Sequence, residues 1–210
     1  MKVIIWGSGK LGCAAAEYLE KHGVEYCVKT KNAPMPPRGD VIMDFSAPEA
    51  LDEVLCYAVQ NRLPLVIGVT GHTRGQIESI RAAAEHIPVV YESNFSRGIF
   101  ALKRCLALLK RLLPDWQSAI VELHREEKKD APSGTALALN SVLSANEIHS
   151  IRLGQEKGTH QILLFGDGEK LTLTHTADSL DAFISGAFLA CRHILNMDKG
   201  LVTFGEILEN

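Results

Sequence analysis

The stretch KVIIWGSGKLGCAAAEYLEKH, residues 2–22, joins two periodicities across one glycine-rich turn. Residues 2–6 are near-continuously apolar, the pattern of a strand buried on both faces. From Leu11 to His22 the spacing is helical, with Ala14, Ala15, Tyr18 and Leu19 turned inward. Between them, Gly7, Ser8, Gly9, Lys10, Leu11 and Gly12 match G-x-G-x-x-G. Glycines at that spacing let backbone amides approach a pyrophosphate at a helix N-terminus. A tight turn with no ligand can carry the same letters. The order strand, turn, helix near the N-terminus favours dinucleotide binding.

The same alternation continues outward. VEYCVK (24–29) reads as a second strand, and the proline-rich NAPMPPRG (32–39) as a loop. DVIMDF (40–45), PLVIGVTG (64–71) and PVVYES (88–93) are further buried strands. Helical patterns lie between them, the first with Ser46 as N-cap. Such alternation predicts an α/β Rossmann-type parallel sheet covered on both faces, with ligands at the carboxyl ends of its strands. Those ends hold Phe45 and Ser46, then Gly68, Val69 and Thr70, then Ser93 and Asn94. Read singly they are ordinary turns, and Asn94 a helix cap. Read with the first glycine loop, they line one crevice. After the second strand, where an acidic residue would meet the ribose 2′-hydroxyl of NAD, stand Thr30 and Lys31, with Lys29 before them. The expectation is NADPH in preference to NADH. The alternative is a solvated strand end.

The second half changes character. A long helix over 97–113 is stopped by Pro114, and a strand over 118–124 runs into HREEKKDAPSGTA, residues 124–136. A helix over 133–145, strand-like runs at 147–153, 160–166 and 169–176, and an amphipathic helix over 178–196 follow. Residues 97–178 therefore read as an inserted α+β mixed-sheet domain, with 1–96 and 179–210 forming the dinucleotide-binding domain. In the charged stretch, His124 ends a strand and Lys128 follows four residues on. Ser133 is a good N-cap, and Gly134 and Thr135 offer amides at a helix start. With a lysine nearby, those amides make a carboxylate or phosphate site. A solvated surface loop is the alternative, but His, Lys and a helix start gathered on one loop favour function.

Composition narrows the partners. A net charge of −3 gives no reason to expect nucleic acid or an anionic membrane surface. No apolar run approaches the ~20 residues of a membrane span, and the opening residues are too soon broken by glycine for a secretory signal. Cys13, Cys27, Cys56, Cys105 and Cys191 form no C-x-x-C and read as buried free thiols in a reducing, cytoplasmic compartment. No metal-ligand spacing appears, so no metal is expected. A semialdehyde dehydrogenase would need a cysteine on a catalytic loop, and a dinucleotide-sensing regulator would not need the His124–Lys128 loop.

E-x-H at 122–124 followed by KKDAPSGTA (128–136) resembles the signature of the dihydrodipicolinate reductase family. DFS-P-EA, GVTG, SNFS-G, GTH…FG, LTH-A and the closing GL…F-E-IL fall in that family's order along essentially the whole chain. The resemblance implies a Rossmann domain with an inserted substrate-binding and oligomerisation domain, assembled as a homotetramer. It implies reduction of a cyclic hydroxy-imine dicarboxylate by NADH or NADPH in lysine and diaminopimelate biosynthesis. By position, His124 takes the role of the acid and Lys128 that of a second proton-handling, substrate-binding residue. Ser133, Gly134 and Thr135 fall in the substrate-carboxylate loop. The turns at Gly68, Val69 and Thr70 and at Glu92, Ser93, Asn94 and Phe95 fall at cofactor contacts. Arg125 replaces a second histidine, which implies that it holds a substrate carboxylate. The glycine loop is one residue shorter than usual, and Leu180 replaces an arginine.

Overall fold

Residues 1–209 are described by a computed structural model. The opening run forms β1 (Lys2–Trp6) and the periodic stretch after it α1 (Lys10–Lys21). Then come β2 (Glu25–Lys29), β3 (Val41–Asp44), α2 (Leu51–Asn61), β4 (Leu65–Ile67), α3 (Arg74–Ala84) and β5 (Pro88–Tyr91). The middle of the chain holds α4 (Arg97–Leu112), β6 (Gln117–His124), α5 (Gly134–Leu143), β7 (Glu147–Arg152), β8 (Thr159–Gly166) and β9 (Glu169–Thr176). It closes with α6 (Asp181–Ile194), β10 (Gly200–Val202) and α7 (Phe204–Glu209). Two units result: Met1–Ser96 with the segment from Phe183 onward, and Arg97–Ala182. The return to the first unit falls inside the first turn of α6. No helix among the described residues is long and apolar enough to cross a membrane.

The first unit is built on a six-stranded parallel sheet ordered β10-β5-β4-β3-β1-β2. Its inner strands β1, β3, β4 and β5 are largely apolar because both faces are covered, whereas the edge strand β2 carries Glu25 and Lys29. Val3, Ile5 and Met43 join one core cluster with α1 and α6; Ile4, Ile42 and Leu65 join the other with α2 and α3. Each such side chain contributes roughly 1.5–3 kcal/mol on burial. Gly12 lies buried where α1 crosses β1, and a Cβ there would run into the carbonyl of Gly7. The third glycine of the loop thus serves helix–strand packing.

Two sequence readings change here. Ser46 does not cap a helix: Pro48–Ala50 form a short 3-10 turn, α2 begins at Leu51, and the Ser46 hydroxyl donates to Asp44 Oδ1. The cysteines are not uniformly buried. Cys13, Cys56 and Cys105 sit on outward helix faces, and Cys191 alone among the five is fully buried.

The second unit is a four-stranded mixed sheet ordered β7-β6-β8-β9, parallel between β6 and β7 and antiparallel elsewhere. Alternation along β6 buries Ser118, Ile120, Glu122 and His124 on one face. That face meets α4 and α5 through Leu102, Leu106, Leu139 and Ile162. The apolar core therefore runs directly into two ionisable groups at the end of β6.

Candidate active site

In the first unit, a cleft of about 430 Å³ is lined by Gly7, Ser8, Gly9, Lys31, Phe45 and Ser46, among others. Gly7 has φ +109°, and a Cβ there would lie 2.6 Å from the Phe45 carbonyl oxygen, so only glycine fits the turn. Gly9 is the N-cap of α1 and has no side chain to satisfy the first amides; no acidic residue occupies that first turn. Nothing lies within 4 Å of where a Gly9 Cβ would stand. An open, uncapped helix N-terminus is what a pyrophosphate requires, so the residues present fit a dinucleotide. Lys10 and Leu11 continue into α1. The Gly68 amide is tied to the Asp44 carbonyl at 2.9 Å, Val69 is buried, and Thr70 is exposed at the end of β4. Past β5, Glu92 accepts from the Ser93 amide at 2.9 Å, Asn94 Oδ1 accepts from the Ser96 amide at 2.8 Å, and Phe95 packs edge-on against Phe204. Lys29 is not a strand-end charge awaiting a phosphate. It is buried, and its ammonium donates to the carbonyls of Thr30 and Ala33.

In the second unit, a single carboxylate organises the loop. Glu122 is fully buried, and Arg152 grips both its oxygens, Nη1 to Oε2 at 3.0 Å and Nη2 to Oε1 at 2.7 Å. The Ser133 amide donates to Oε1 at 3.2 Å, and the His124 ring hydrogen-bonds through Nδ1 to Oε2. Arg152 also donates to the carbonyls of Lys128, at 3.2 Å, and Asp130. One buried ion pair thus fixes the histidine, the charged loop and the start of α5. The Ser133 hydroxyl oxygen accepts from the Ala136 amide at 3.2 Å and also hydrogen-bonds His160 Nε2 at 3.2 Å, and the space beside Gly134 is open, with nothing within 4 Å of a Cβ position. The Lys128 ammonium rests on Asp130, 2.7 and 2.8 Å from its two oxygens. Arg125 is half-exposed, its Nε 3.8 Å from Glu127.

Register explains the grouping. In the ladders, Ser150 of β7, Glu122 of β6, His160 of β8 and His175 of β9 form one cross-strand row, and Arg152 stands opposite His124 in the next. Burial would raise the Glu122 carboxyl, but hydrogen bonds from Arg152, Ser150 and His124 outweigh it and hold it at about 2. It is a permanent anion. His124 is pulled below its ordinary value by burial, against the opposing pull of Glu122. The anion therefore claims the Nδ1 proton and leaves Nε2, which borders Gly158, outside that bond. Gly158 has φ +156° and no side chain to cover that edge.

His160 is 4% exposed, and burial followed by the charge of His124 pushes it down to about 4. A histidine depressed this way stabilises the fold above its unfolded value near 6.5, and that stability is lost as pH falls through about 4. The shift corresponds to roughly 3 kcal/mol. Glu122 titrates below this window. Asp44, raised to about 6 by burial, works in the opposite sense within it. The histidine share is therefore the difference between wild type and His160→Gln. The variant is expected to lose less stability than wild type between pH 6.5 and pH 4.5 in chemical denaturation; equal losses would show that His160 is not buried neutral.

The family model described as dihydrodipicolinate reductase, N-terminus, matches residues 14–95, and that for the C-terminus matches residues 98–208. The chain belongs to the dihydrodipicolinate reductase family. A 4-hydroxy-tetrahydrodipicolinate reductase of Thermosipho africanus is 39% identical over 171 residues, covering 81% of this chain and 79% of the relative. One from Clostridium novyi is 30% identical across 100% of this chain and 98% of its own. A dipicolinate-bound dihydrodipicolinate reductase from Paenisporosarcina sp. TG-14 shares the fold, with a TM-score of 0.80 at 24% identity over 97% of each chain. As a member of this family the chain is an oxidoreductase that uses a nicotinamide dinucleotide bound by its Rossmann unit. Of the expected site residues, the second unit joins His124, Lys128 and Ser133 in one hydrogen-bonded network around Glu122 and Arg152, with Gly134 next to Ser133 at the start of α5. The sequence reading missed Arg152 and His160, which enter through strand register. Glu122 was within reach, because two residues before a strand-end histidine is the same sheet face.

Proposed function

We propose that this reductase converts 4-hydroxy-tetrahydrodipicolinate to tetrahydrodipicolinate with NADPH or NADH, a step of diaminopimelate and lysine biosynthesis. The observation that carries the proposal is the Glu122–Arg152 pair holding His124, the Lys128 loop and the Ser133 helix start together. The bound dinucleotide, held by Gly7 to Gly12 and the turns at Phe45–Ser46, Gly68–Thr70 and Glu92–Phe95, would supply a hydride. A dianionic ring needs cations and amide donors, and Lys128, Gly134 and Thr135 supply them for one carboxylate. Arg125, half-exposed at the loop's start, serves the other. Loss of the ring hydroxyl as water leaves a conjugated imine. Adding hydride to its carbon pushes electron density toward the ring nitrogen, and one proton must arrive to balance it. His124 delivers that proton from Nε2; it is neutral at rest and gains its charge when the dianion enters.

Lys128→Ala is expected to raise KM and lower kcat together, with Lys129→Ala as an adjacent control that changes neither by more than about twofold. Equal losses in the two variants would mean bulk electrostatics rather than a placed ammonium. Assembly as a homotetramer belongs to the same proposal. The face of the second unit's sheet turned away from its helices carries Leu123, Ile151, Leu163 and Phe165, partly or fully exposed, and a second copy would cover it. Sedimentation of a 23 kDa species alone at micromolar concentration would contradict it. Of the two lysines from which an NADPH preference was expected, Lys29 is already committed to the Thr30 and Ala33 carbonyls.

A further inference from the structure

The dinucleotide cleft is lined by two carboxylates that the strand-end sequence does not announce, Glu49 and Glu53, alongside Lys29 and Lys31. In a Rossmann unit the residue closing β2 meets the adenosine ribose, and an acidic side chain there accepts from the 2′-hydroxyl. In this chain that residue is Lys29, and its ammonium is committed. It donates to Thr30 O at 3.0 Å and Ala33 O at 2.8 Å, and it pairs with Glu53 Oε1 at 3.3 Å. Trp6 lies beneath, its ring centre 5.7 Å from Nζ. An ammonium has three donors, and these three partners use them all. Lys29 has nothing left to offer a 2′-phosphate.

Glu53 is differently placed. It comes from the first turn of α2, its side chain is 40% exposed, and Lys29 engages one of its oxygens. A carboxylate retains acceptor capacity after one such contact. We infer that Glu53, held upright by Lys29, is the nucleotide-selectivity residue of this enzyme. It accepts from the ribose 2′-hydroxyl of NADH and repels the 2′-phosphate of NADPH. The acidic function is supplied from the helix after β3 rather than from the end of β2, and Lys29 is its post. Glu49, one turn earlier on the same wall, adds charge of the same sign, and Lys31 opposes them. The inference rests on the reading of this cleft as the dinucleotide site, and it reverses the preference for NADPH that the strand-end lysines imply.

Calorimetric titration of the intact wild-type chain with NADH and with NADPH tests it without turnover. NADH is expected to bind at least as tightly as NADPH. Glu53→Gln keeps the shape and removes the charge, and should move the affinity ratio roughly five- to tenfold toward NADPH at low salt, less as salt rises. Lys31→Gln should weaken NADPH and leave NADH unchanged. A wild type that favours NADPH several-fold, or a ratio indifferent to Glu53→Gln, overturns the inference while leaving the dinucleotide site standing. Binding of neither nucleotide overturns both, so the two failures are told apart.

Discussion

His124→Gln is expected to lower kcat by ~10²–10⁴-fold, the usual contribution of a placed general acid, while dinucleotide affinity stays at the wild-type value. The size follows from the wiring. Glu122 is a buried anion that holds the Nδ1 proton of His124, so the ring has one defined tautomer and one free edge. That edge borders Gly158, where no side chain interposes. Glutamine fills much of the volume, but its amide cannot cycle a proton. Nucleotide affinity should not change, because the cleft with the glycine loop belongs to the other unit. A variant that keeps most of its kcat with nucleotide saturating would remove His124 from the chemistry.

Glu122→Gln is expected to act on fold and chemistry together. Removing one partner of a buried ion pair costs about 3–5 kcal/mol, because the other charge is left without compensation. Set against a total stability of roughly 5–15 kcal/mol, that is a large share. Arg152 would lose its carboxylate while keeping the carbonyls of Lys128 and Asp130, and the Ser133 amide would lose its anionic acceptor. The chemical effect is distinguishable from the structural one. With Glu122 gone, His124 loses the interaction that opposes its burial, so the pH at which its activity limb falls should move to lower pH. Arg152→Lys keeps the charge but loses the two-pronged grip, and should lose less stability than Glu122→Gln while still raising KM. An unshifted pH profile in whatever fraction of Glu122→Gln folds would mean that Glu122 is scaffold only.

Much of the first unit was legible because its signals are local. A glycine loop, a buried run and a helical period lie within about twenty residues, and each later strand repeats the alternation. β10 escaped because three residues, Gly200–Val202, carry no periodicity; pairing beside β5 makes them a strand. Ser46 looked like a cap because serine before a helix usually is one, yet Pro48 tightens the next turn and Asp44 takes the hydroxyl. In the second unit the loop around Lys128 and Ser133 was readable as a run. Its organiser was not, since Arg152 meets Glu122 from thirty positions away. No spacing along the chain encodes that meeting; the parallel pairing of β6 with β7 does. The charge pattern of the cleft was only partly legible for a related reason. Lys29 is visible beside Lys31 in sequence, but Glu53, which neutralises it, arrives from another element.

The most direct test is continuous absorbance at 340 nm with purified chain, reduced dinucleotide and 4-hydroxy-tetrahydrodipicolinate formed in place by the preceding synthase. Consumption of dinucleotide that requires the synthase product, and that is abolished in His124→Gln, is the predicted result. No consumption above the His124→Gln background, with nucleotide binding verified in the same sample, would contradict the account.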